Sequence, residues 1–171
     1  MLKQCARTLI LSASGGSHFY DLLWGHALKQ ANFACNRNDW SSTLAPFTQL
    51  TGTAYEWGKE DHCFGELVTF LVPEQVRDDQ YRPPGERGIW VRRDASPGME
   101  GSVHSSVVVP IEWDGDAGTW LLLPTVVTNS CKVHDGVYPL RMRPPAGAAS
   151  APDAAFDAFV DSICAPHYKP S

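Results

Sequence analysis

The sequence predicts an α+β protein, with helices first and an antiparallel sheet after them. Three observations predict it. Apolar residues recur at helical spacing from Phe19 to Ala27 and again after Cys63; the stretch from Gly88 to Met142 is rich in Val, Ile, Trp and Leu; and Gly, Pro and Asp clusters divide that stretch into short runs. A region of helices followed by a region of strands is the α+β order rather than an alternating α/β one.

The first helix starts at Ser17, whose hydroxyl suits an N-cap, and runs to about Ala34 with Phe19, Leu22, Leu23, His26 and Ala27 on one face. On that face His26 reads as a core histidine. Asn36 to Asn38 break the helix, and a short segment from Leu44 to Leu50 follows. Leu67, Phe70 and Leu71 then lie four, seven and eight residues after Cys63, which predicts a second amphipathic helix with Cys63 in its first turn, Asp61 as cap and Pro73 as terminator. A polar, proline-bearing loop spans Arg77 to Glu86 and is placed to cover a cleft. Four strands are expected at Gly88 to Arg92, His104 to Glu112, Trp120 to Val127 and Gly136 to Met142, with Pro110 marking an edge or bulge. Residues 143–152 read as a linker and 153–164 as a final helix, with Phe156, Phe159, Val160 and Ile163 on one side.

Composition bounds the function. The 171 residues are 43% hydrophobic and 19% charged, which suits one domain spanning 1–171 with a sizeable core. A net charge of -5 and a pI near 5.6 argue against a general nucleic-acid binder, and Arg87, Arg92, Arg93, Arg141 and Arg143 read as solvated faces or loops. No run approaches the ~20 apolar residues of a membrane span, and the apolar stretch after Met1 is short for a signal peptide. There are five cysteines. With Cys63 set aside, Cys5, Cys35, Cys131 and Cys164 suffice for two bridges in an oxidising compartment, while four reduced thiols in the cytoplasm remain the alternative. No zinc-ligand spacing appears, so neither a metal nor a cofactor is expected; Glu112, Asp114 and Asp116 read as a hairpin turn, and His134-Asp135 as another turn.

The chemistry centres on Cys63 and His104. A cysteine in the first turn of a helix meets unpaired amide N–H groups, which favour the thiolate, and His104 at the mouth of a β run supplies a base. If residues 103–112 and 119–127 form a hairpin about Asp114 to Gly118, His104 falls opposite Val127 and Asn129 lies on its side of the sheet. Asn129 is then the candidate to orient the imidazole, as an amide does in Cys-His-Asn enzymes; a plain turn role before Ser130 is the competing reading.

The run Gly52-Thr-x-Tyr55-x-Trp57-Gly58, followed by Cys63-x-Gly65-x-x-Val68, resembles the nucleophile segment of the NlpC-type papain-like cell-wall endopeptidases. The match covers about twenty residues, and the histidine run is also similar to that of CHAP amidases. The resemblance implies a papain-like fold with the nucleophile helix packed on the antiparallel sheet. It also implies Cys63 as nucleophile, His104 as base, Tyr55 and Trp57 as substrate-binding residues, and cleavage of amide bonds in peptidoglycan stem peptides. A secreted or periplasmic site of action and an inhibitor or immunity protein as partner follow from that, with a toxin as one role and a cytoplasmic location as the alternative. The chain departs from the family in reading His62-Cys63-Phe64-Gly65 where Asp-Cys-Ser-Gly is usual. Cys63-Phe-Gly-Glu-Leu with the later histidine run is also similar to arylamine N-acetyltransferases and other transglutaminase-like acyl-transfer enzymes. A catalytically inactive module that binds or inhibits through the same fold is the third expectation.

Overall fold

The computed structural model describes residues 1–16, 20–38, 43–56, 62–72, 85–94 and 105–142. Ser17, Trp57, Asp61, Pro73, residues 77–84, His104, residues 143–152 and 153–164 and Cys164 lie outside the described residues.

A helix that the sequence reading does not anticipate comes first, α1 (Leu2–Ala13), with Ala6, Ile10 and Ala13 buried at spacings of four and three. A 3-10 turn at Asp21–Leu23 leads into α2 (Trp24–Arg37). Leu23 and Ala27 face the core as expected, but Leu22 is exposed, because the tighter turn takes it off the helical stripe. The alanines Ala6, Ala13, Ala27 and Ala31 let α1 and α2 approach closely, and Cys5 and Cys35 lie beside each other between them. Cys5, Cys35, Cys63 and Cys131 are all free thiols. A third helix, α3 (Pro46–Thr51), begins on a proline, whose missing N–H costs nothing at that position.

The strands are β1 (Leu67–Leu71), β2 (Gly85–Arg93), β3 (Ser106–Asp114), β4 (Thr119–Leu122), β5 (Val126–Thr128) and β6 (Cys131–His134), all antiparallel to their neighbours. The order is β4-β3-β2-β1-β6, with β5 also on β3. One stretch, Val126 to His134, thus pairs first with β3 and then with β1, so it joins the two sides of the sheet and closes it into a small barrel. Alternation then sorts the side chains. Val68, Phe70 and Val108 point inward with Val126, Cys131 and Val133, while Ile89, Val91, Val107, Val109 and Ile111 point outward and are covered by α1 and α2. Gly88 sits opposite Pro110, and a Cβ there would come within 2.7 Å of the Val109 carbonyl oxygen, so the close approach needs glycine.

Four expectations are corrected. The segment after Cys63 is strand β1, not a helix, because it is paired on both sides by β2 and β6. Gly136 to Met142 is a turn and a 3-10 turn (Pro139–Arg141), since the strand lies earlier, at Cys131–His134. The Trp120 to Val127 run divides into β4 and β5, and the register differs: Asp114 pairs with Thr119, and Val127 with Val107. The strands extend closer to the hairpin turn than expected because Asp114 Oδ1 accepts from the N–H groups of Asp116 and Ala117, which tightens that turn. Pro110, finally, expected at an edge or bulge, lies mid-strand in β3, opposite Gly88 of β2. Its carbonyl accepts from Leu123 N in the gap between β4 and β5, so the missing N–H falls where the ladder is already broken.

His26 on α2 is half-buried, and its Nδ1 has no hydrogen-bond partner among the described residues. Burial, then the charges of Arg92 and Lys29, push its pKa below the ordinary 6.5. Below about pH 6.5 the unfolded chain therefore takes up the proton first, so this contribution to stability is present above that pH and is lost as pH falls. Urea unfolding at about pH 7.5 and about pH 5 should show a drop in midpoint that shrinks in His26→Gln; an equal drop in both proteins would rule His26 out as its source.

Candidate functional site around Cys63

Cys63-Phe64-Gly65-Glu66 is a β-turn. Glu66 N donates to Cys63 O at 3.2 Å, and Gly65 in third position has φ +88°, the value a type II turn requires. The turn is pinned to its neighbours. Gly65 N donates to Trp90 O and Trp90 N to Glu66 O, both at 2.8 Å, while Leu67 N donates to Val137 O at 2.7 Å. Phe64 is buried in the cluster that α1 and α2 cover, and this anchors the turn from below.

Glu66 organises the site. It is 4% exposed, its Oε2 accepts from Cys63 N at 2.8 Å, and its Oε1 accepts from Gly136 N at 2.8 Å. A buried carboxylate holding two backbone amides ties the Cys63 turn to the turn that follows β6. The β1–β6 register, Leu67 opposite His134, is what sets Glu66 beside Asp135 and Gly136. His62 Nδ1 stands 3.8 Å from Asp135 Oδ1, and its ring packs edge-on against buried Trp90, whose Nε1 donates to Ser106 Oγ at 3.2 Å. Ligand atoms of His62, Glu66 and Asp135 lie within 4.8 Å of one another, a grouping that sequence spacing alone does not reveal.

The Cys63 thiol is exposed and lies beside the Tyr138 hydroxyl. Burial, the neighbouring Cys63 side chain, and the negative charges of Cys63 and Glu66 push the Tyr138 phenol up to about 12, against the opposing pull of Arg141, so it stays un-ionised at neutral pH. The Arg141 guanidinium lies 3.9 Å from the Tyr138 ring centroid and donates to Ser12 O at the end of α1, which fixes the ring from behind. His134 faces the neighbouring strand, with Nε2 3.0 Å from Thr69 Oγ1. Burial first, then Lys132 and Arg87, hold its pKa below the ordinary range, against Asp135.

The residues singled out in the sequence fall in three places. Cys63 lies in the turn just described. Asn129 follows β5, where its Oδ1 accepts from Ser105 Oγ at the residue before β3. Tyr55 stands in an aromatic group with Phe33 and Phe47, ring centroids 6.0 and 5.3 Å away, and the Arg37 guanidinium lies over all three rings. His104 and Trp57 lie outside the described residues. Missed in the sequence were His62, Glu66, Asp135 and Tyr138. The Cys-x-Gly spacing, a turn signature, was the signal that a loop and not a helix carries the cysteine.

Fold and site together define a small α+β protein in which a partly helix-covered barrel presents an exposed thiol beside an imidazole and two carboxylates. No family model matches the chain, and no curated protein or solved structure matches it.

Proposed function

We propose that the protein is a cysteine hydrolase of amide bonds, with Cys63 as nucleophile and peptidoglycan stem peptides as the substrate class. The observation that supports this best is the exposed thiol on a turn held rigid by Glu66, next to the His62–Asp135 pair and an un-ionised phenol. In the reaction the sulfur attacks the amide carbonyl carbon as its proton passes to an imidazole. The same proton then reaches the departing amine, and water hydrolyses the thioester. The imidazole is His62, oriented by Asp135, or His104. The amides of Cys63, Gly65 and Glu66 are already bonded to Glu66, Trp90 and Cys63, so the oxyanion falls to the Tyr138 hydroxyl rather than to helix-end N–H groups.

Purified protein offered peptidoglycan fragments should release shortened stem peptides. Cys63→Ala should lower the rate by at least about 10³-fold and Tyr138→Phe by roughly 10²-fold. His62→Ala and His104→Ala, compared by the pH dependence of iodoacetamide alkylation at Cys63, identify the base. Product release that persists in Cys63→Ala would end the proposal.

A second reading is favoured by those same committed amides: a domain that binds or inhibits a partner without turnover. It expects Cys63 to alkylate like a free thiol and no product to form.

A further inference from the structure

We propose that His62, Glu66 and Asp135 form a binding site for a divalent transition metal, with Zn²⁺ as the ion of best fit. This inference does not rest on the thiol reading, since Cys63 is not among the ligands; with an ion on His62, the base in that reading is His104.

The three ligand atoms already lie within 4.8 Å of one another. Two of them are held in place. Each Glu66 oxygen accepts one backbone N–H, from Cys63 or Gly136, which locks the carboxylate and leaves a lone pair on each oxygen for an ion. The His62 ring is set edge-on to Trp90 at 5.8 Å with Nδ1 toward Asp135. The Asp135 side chain is 88% exposed, so it has room to close on an ion at the ~2.0–2.2 Å typical of zinc.

Charge points the same way. Two carboxylates lie within 4.8 Å of each other, and one of them is 4% exposed. A divalent cation cancels that repulsion and the cost of the buried charge together. One imidazole and two carboxylates match zinc or a similar transition ion better than calcium, which takes six to eight oxygens. Three protein ligands leave a position open to water or to a ligand atom.

The test is calorimetric titration of the full chain with ZnCl₂ under reducing conditions, paired with thermal unfolding with and without zinc. The proposal expects one equivalent bound and a higher melting temperature, with His62→Ala and Asp135→Asn each weakening binding by about 10–100-fold while Cys63→Ala leaves it unchanged. Asp135→Asn keeps the size of an exposed side chain, so its loss of binding is not a folding defect. No saturable binding, or equal binding in all variants through other thiols and imidazoles, would overturn it. A site lost in Cys63→Ala but kept in His62→Ala would overturn it as well, by making the thiol the ligand. Failure here leaves hydrolysis untouched, and failed hydrolysis leaves the titration to be read by itself.

Discussion

Glu66→Gln is expected to cost about 2 kcal/mol of stability, a large effect for a change of one atom. The carboxylate accepts from Cys63 N and Gly136 N, one amide on each oxygen. Glutamine has one carbonyl oxygen, so one of these amides loses its acceptor and meets an N–H₂ donor instead. Packing is unchanged, so the loss reports the hydrogen bonds and not a cavity. Urea unfolding in the presence of EDTA measures it free of any bound ion, and a change below about 0.5 kcal/mol would show that water replaces the carboxylate. Alkylation of Cys63 should also change rate in this variant, because its turn loses one of its ties.

Gly65→Ala is expected to be worse, by about 2–5 kcal/mol, from two separable causes. The φ of +88° costs an L-residue about 1–2 kcal/mol. A Cβ there would also overlap Ala13 on α1, which is fully buried, and forcing that overlap costs about 1–3 kcal/mol. Adding Ala13→Gly separates the two: in a double-mutant cycle the steric part should be recovered and the backbone part should remain. An additive double mutant would show that α1 does not press on the turn.

Much of the fold was legible. The Gly88 and His104 runs read as strands because each has apolar residues and turn signals at both ends, and they became β2 and β3. The segment after Cys63 misled for a physical reason. β1 carries buried apolar residues on both faces, Leu67 outward and Val68 and Phe70 inward, with Leu71 exposed at its end, so its apolar residues do not alternate and they fit helical spacing equally well. α1 was passed over because its buried face rests on Ala6, Ile10 and Ala13, two of them alanines, which give a weak stripe. Cys63 was singled out in the sequence as the candidate nucleophile, but its exposure on a turn was not read there. Glu66 and Asp135 were not legible as partners, since only the β1–β6 pairing brings them together.

The same pairing bears on how the chain acquires its structure. Val126 to His134 is both the last of the described strands and the seam of the wall. During synthesis Phe70 and Val108 stay wet until that seam has left the ribosome, so closure waits for the long-range β1–β6 pairing, and a slow, late step is the natural signature of such a topology.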